Sequence, residues 1–118
     1  MNDNVFAYAT PLWERFSKPV HAGGWPEGEV GVRSGQAGSR AARFVLRLQV
    51  KGTQARFKAY GCPTAIAVGE WLCEQIERDG IESLRTITAA KIRAGLEIPE
   101  DKAHCALLGE DAIRELLK

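Results

Sequence analysis

The sequence predicts an α+β fold: a small antiparallel sheet of about three strands with helices packed on one face, and a helical C-terminal half. Three observations predict it. Segments with a period of two are grouped before position 61, and segments with a helical period follow from position 63 to the end. Strands and helices that are segregated rather than alternating are the mark of α+β architecture. A chain of 118 residues, 45% apolar and 26% charged, has the size and composition of one globular domain, taken as 1–118.

The elements follow in order. Residues 5–16 read as a first helix, because Phe6, Leu12, Trp13 and Phe16 form an apolar stripe; Pro11 marks either a break or the true start. Residues 21–38 hold six of the 12 glycines, together with Pro26, and predict a loop with a short strand at 30–33. Phe44, Leu46, Leu48 and Val50 then alternate with Arg43, Val45, Arg47, Gln49 and Lys51, which gives one buried and one wet face. Gly52 is the turn, and Ala55, Phe57 and Ala59 alternate with Arg56, Lys58 and Tyr60 on the return, completing a hairpin.

From Pro63 the period lengthens. Ala65, Val68, Leu72 and Ile76 recur at three and four, so a helix runs to Asp79-Gly80. Residues 81–84 read as one helical turn. Thr88 caps a helix over 89–94 that Gly95 ends. After Pro99, Asp101 or a neighbour caps a last helix over 103–117, with Leu108, Ala112 and Leu116 as its seam.

Composition excludes several classes. The longest stretch free of charge, 59–69, has 11 residues, short of the roughly 18 that a membrane span requires. Met1-Asn2-Asp3 provides no basic start for a secretory leader. Three cysteines are too few and too odd for a disulfide framework, which points to a reducing, cytoplasmic setting. The net charge of +1 is unevenly spread, +5 over 1–60 and −4 over 61–118. Arg43, Arg47, Lys51, Arg56 and Lys58 form a basic stripe, read either as a solvated sheet face or as a surface for an anionic partner. The stripe lacks an aromatic ladder, so nucleic acid is not the expected partner.

Chemistry concentrates at two places. Cys62 stands between a strand and a helix, with Gly61 permitting a sharp turn and Pro63 suited to the first helical position. Free backbone N–H groups at a helix start favour a thiolate, which is what a nucleophile or a soft-metal ligand needs; the competing reading is a small buried hydrophobe. His104-Cys105 sits in the first turn of the last helix beside Lys102. Imidazole next to thiolate suits zinc or iron, and a simple core role for Cys105 is the alternative. If the two helices start at the same end of the sheet, Cys62, His104 and Cys105 converge. Cys73 lies in the apolar stripe, about 16 Å along the helix from Cys62, and is assigned to the core. His21 is either a further ligand or a solvated loop histidine. There is no Cys-x-x-Cys, no phosphate-loop lysine in 31–38, and no third member for a Cys62–His104 hydrolase.

The run Ala55-Arg56-Phe57-Lys58-Ala59-Tyr60-Gly61-Cys62 resembles the IscU/NifU-type iron–sulfur cluster assembly scaffolds. The resemblance resumes from Ile98-Pro99-Glu100-Asp101-Lys102-Ala103-His104-Cys105 through Ile113, and Lys18-Pro19-Val20-His21-Ala22-Gly23 resembles the segment after the family's first helix. It implies a platform, not an enzyme. Such a platform holds a nascent two-iron cluster, or zinc, on three cysteines, an aspartate and a histidine. It takes sulfur from a cysteine desulfurase and passes the cluster to acceptor proteins. Cys62, His104 and Cys105 match two of the cysteines and the histidine, with Cys62 and Cys105 as cluster ligands, and Lys102 matches the preceding lysine. The family's first cysteine and its aspartate fall at Arg40 and Ala42, so this is a divergent member. The chaperone-recognition segment is also altered, reading Ile98-Pro99-Glu100-Asp101-Lys102. A two-iron cluster takes four protein ligands, and one chain offers three; the count suggests a homodimer that pools Cys62 and Cys105. The alternative is a degenerate paralogue acting as a binding or regulatory module without a cluster.

Overall fold

The computed structural model describes residues 8–26, 28–39, 41 and 43–118. The chain runs from helix α1 (Thr10–Ser17) into strands β1 (Val32–Ser39), β2 (Phe44–Lys51) and β3 (Gln54–Tyr60). Helix α2 (Pro63–Asp79), a 3₁₀ turn (Ile81–Thr86), helix α3 (Ala89–Leu96), a second 3₁₀ turn (Glu100–Lys102) and helix α4 (Ala103–Leu116) complete it. The sheet is antiparallel in the order β1-β2-β3, with Leu48 opposite both Gly35 and Phe57. The α+β class therefore holds.

The core lies between one sheet face and helices α2 and α4. Leu46, Leu48, Ala55 and Phe57 point down from the strands, and Val68, Leu72, Leu108 and Ala112 rise from the helices, all buried. Each such aliphatic side chain, buried in full, contributes about 1.5–3 kcal/mol. Close approach is secured by small residues: a Cβ on Gly69 would strike the Phe57 ring.

Two local expectations are corrected. The segment read as a glycine loop with a short strand at 30–33 contains all but the last residue of β1, a strand of eight residues. Its glycines are there for packing, since a Cβ on Gly35 would collide with the backbone of Leu116 and Ala112 in α4. Helix α3 does not end at Gly95 but runs to Leu96, closing on Glu97 in the left-handed region at φ 53°. Gly95 instead admits the Trp71 indole, which would crowd any Cβ there. The first helix starts at Thr10, in keeping with Pro11 as its true start; residues 8 and 9 of the longer span are not helical, and 5–7 lie outside the described residues.

The sheet's outer face is only partly wet. Gln49 is 2% exposed. The Trp25 N–H donates to Gln49 Oε1 at 2.9 Å, and Gln49 Nε2 donates to the Trp25 carbonyl and to Ser34 Oγ, each at 3.2 Å. Arg56 lies over the Trp25 ring at 5.8 Å. Residues 21–25 thus fold back as a strap against the sheet. One parallel bridge, Ala22 to Phe57, joins them to the edge of β3.

Candidate functional site

The Cys62 site is built by a change of direction. Strand β3 ends at Tyr60, Gly61 takes φ 122°, and Cys62 occupies the N-cap of α2 in an extended conformation (φ −108°, ψ 142°) with Pro63 next. A Cβ at Gly61 would press on Arg43 and Phe44, so the turn accepts no larger residue. Cys105 is the third residue of α4. The starts of both helices flank Phe44, against which Gly61 packs and the His104 ring lies, and the Cys62 and Cys105 thiols are near enough to shift each other's pKa.

The two thiols differ in character. Cys62 is half-buried, and Cys105 is 1% exposed. Burial pushes the Cys62 thiol up, but the Thr64 N–H, the Thr64 hydroxyl, the Cys105 thiol and the Ala65 N–H all favour its anion; together they hold its pKa below the ordinary thiol value. Thr64 Oγ1 is buried with no hydrogen-bonding partner at ordinary distance. Cys105 is pushed up to about 12, first by burial, then by the charge on Cys62 and the hydrogen bond it gives to that sulfur; Lys102 opposes the shift. The accessible sulfur is therefore the more readily ionised of the two, and the sealed one keeps its proton.

His104 stands apart from this pair. It is exposed, and its ring meets Phe44 edge-on with centroids 6.0 Å apart. Among the described residues, no group of three or more His, Cys, Asp or Glu side chains is placed to hold a metal ion. At the start of α4, Cys105 is turned inward and the preceding residue outward. Arg40 and Ala42, the positions of the missing family ligands, lie outside the described residues. Cys73 is fully buried on α2, and burial followed by the nearby carboxylates of Glu70 and Glu77 pushes its thiol far up, as a core position requires.

His21 is neither a ligand of the thiol site nor a solvated loop histidine. Its Nδ1 lies 2.6 Å from Glu70 Oε2 and its Nε2 2.8 Å from Glu77 Oε1, while its backbone N–H donates to Glu70 Oε1 at 2.8 Å. Glu70, 2% exposed on α2, is the anchor. The sequence carried a signal for it, because Glu70 interrupts the buried face of an otherwise apolar helix. Thr64 and Phe44 also escaped sequence reasoning. Only Thr64 had a positional cue, two residues after a helix-capping cysteine.

A three-stranded sheet roofed by two helices, each with a thiol at its start, defines the class. The family model described as the NifU-like N-terminal domain matches residues 7–118, and the chain belongs to that family. The iron-sulfur cluster assembly scaffold protein IscU of Escherichia coli (strain K12) is 32% identical over 114 residues, covering 92% of this chain and 89% of that protein. The IscU of Buchnera aphidicola subsp. Schizaphis graminum is 33% identical with the same coverage, and that of Rickettsia prowazekii 32% identical with 92% and 87% covered. No helix among the described residues is long and apolar enough to cross a membrane.

Proposed function

We propose that this protein is an iron–sulfur cluster assembly scaffold that gathers its cargo at the Cys62–Cys105 rim and catalyses no reaction of its own. Membership of the NifU-like family, in a chain that sets one cysteine at the start of α2 and another at the start of α4, is the observation that carries the reading. The donor set suits the cargo: thiolates and imidazole are ligands of iron–sulfur clusters and of zinc. Cys62, the more readily ionised and the more reachable of the two thiols, makes the first bond. Cys105 follows once its proton leaves, helped by the positive charge of Lys102. His104 supplies a third donor by turning from Phe44, which its exposure permits. A [2Fe–2S] cluster needs a fourth ligand, so a homodimer in which two chains each contribute Cys62 and Cys105 is the assembly that satisfies it. The single domain 1–118, a cytoplasmic location, sulfur supply by a cysteine desulfurase and transfer to acceptor proteins belong to the same proposal.

The test is reconstitution without oxygen, with ferrous iron, sulfide and a cysteine desulfurase. The wild type is expected to gain a visible charge-transfer spectrum with iron and acid-labile sulfide in equal amounts. Cys62→Ala and Cys105→Ala are expected to stay colourless. A colourless wild type overturns the reading. A second reading, a binding module without a cluster, is favoured by the absence of a thiol or carboxylate at positions 40 and 42. It predicts partner binding that survives Cys62→Ser in protein isolated without metal.

A further inference from the structure

We infer that residues 21–25 are a strap latched by the proton on His21, and that removing this one proton releases the strap from the sheet while the core stays folded. Three features support it. The His21 ring bridges the strap to α2, with Nδ1 2.6 Å from Glu70 Oε2 and Nε2 2.8 Å from Glu77 Oε1. The same two carboxylates hold backbone at the edge of the sheet: Glu70 Oε1 accepts the His21 N–H and Glu77 Oε2 the Ala55 N–H of β3, each at 2.8 Å. The strap backbone closes on β3 as well, since the Phe57 N–H donates to the His21 carbonyl at 3.1 Å and the Gly23 N–H to the Phe57 carbonyl at 2.9 Å. None of residues 21–25 belongs to the buried core, so the strap can leave without opening it.

The imidazolium donates from both nitrogens. Neutral imidazole donates from one and turns a lone pair to a carboxylate with the other. Glu70, shielded from water, then loses the cation that offsets its burial, and a buried charge without its partner is strongly destabilising. The other charged or titratable groups around the latch are Cys73 and Glu74 on α2, and Arg56 and Lys58 on β3. Glu74 is bound by Arg15, and Arg56 meets Glu77 at 3.2 Å in either state of His21. The Cys73 thiol is pushed far up by burial and the nearby carboxylates, which leaves His21 as the group of this cluster that titrates near neutrality. Burial lowers the His21 pKa, but the hydrogen bonds and charges of Glu70 and Glu77 outweigh it and raise it above 6.5. The latch is therefore fully closed below 6.5 and is lost as pH rises through the raised value. Its release is independent of the scaffold reading.

The test reads amide hydrogen exchange by NMR on the full chain, corrected for the intrinsic acceleration with pH, together with the ring shifts of both histidines. Protection at Gly23, Trp25 and Phe57 is expected to fall by up to about tenfold per pH unit above 6.5 until the His21 ring has titrated. Leu48 and Leu72 are expected to stay far better protected than those three throughout. In His21→Gln the three strap amides are expected to show the low alkaline protection of the wild type on the acid side of 6.5 too, with no further change with pH. Glu70→Gln is expected to move the His21 midpoint, and the loss of strap protection with it, to lower pH. The wild-type titration decides by itself if either variant does not fold. A His21 midpoint at or below 6.5, strap protection that does not follow it, or equal protection of strap and core amides each overturns the inference.

Discussion

At the scale of single residues, charge is arranged with unusual economy around two side chains. Cys62 is stabilised as an anion by groups from its own helix start and by its partner thiol. His21 is held in the opposite state. A neutral imidazole has one donor and one acceptor nitrogen, yet both of its nitrogens face carboxylates at 2.6 and 2.8 Å, an arrangement that demands the imidazolium. Burial alone lowers the His21 pKa, but the hydrogen bonds and charges of Glu70 and Glu77 outweigh it and raise it above the ordinary 6.5. Glu77 in turn accepts the Ala55 N–H at 2.8 Å and Arg56 Nη1 at 3.2 Å, and its pKa is lowered: burial works against the shift and these partners prevail. The sign follows by linkage. The histidine's contribution to stability is full below pH 6.5 and is lost as pH rises through its raised folded value. The Glu77 contribution is present above its unfolded value and is lost as pH falls through its depressed one. Urea unfolding across this range is expected to show wild-type stability declining on the alkaline side of 6.5, and His21→Gln is expected to flatten that decline. An unchanged slope in His21→Gln would refute the assignment.

At the scale of elements, β1 is the instructive case. Its sequence, with Gly35 and Gly38 inside eight residues, reads as loop because glycine weakens an isolated strand. Here the missing side chains let α4 press against the sheet. Gly35→Ala forces a Cβ into the backbone of Leu116 and Ala112, and overpacking of this kind costs about 1–3 kcal/mol. Equilibrium denaturation is expected to find that loss, with β1 amides losing hydrogen-exchange protection before those of β3. The hairpin and α2 were legible because their apolar residues keep strict periods, so local pattern and tertiary burial agree. The thiol pair was half legible. Helix starts at Cys62 and next to Cys105 follow from Pro63 and the flanking motif. That Cys105 turns inward there and His104 outward depends on how α4 rolls against β1. No periodicity encodes that rotation. The Gln49–Trp25 contact was equally hidden, because alternation assigns Gln49 to solvent and only the returning strap buries it.

At the scale of the molecule, a single core carries the load. Leu72 is fully buried in the middle of α2, among side chains of the sheet and of α4. Leu72→Ala is expected to cost about 2–5 kcal/mol, a large share of the roughly 5–15 kcal/mol by which domains are stable. Chemical denaturation measures it, and a loss below about 1 kcal/mol would mean that this helix is not seated as described. The same core joins two ends of one rod. Helix α4 has 14 residues and is about 21 Å long; Cys105 sits on its first turn, and Leu116, on its last, rests against Gly35. A stiff lever clamped at its tail by a glycine socket cannot tilt at its head without disturbing that socket. Whatever draws Cys105 toward or away from Cys62 is therefore felt across the width of the protein, at a strand that carries none of the chemistry.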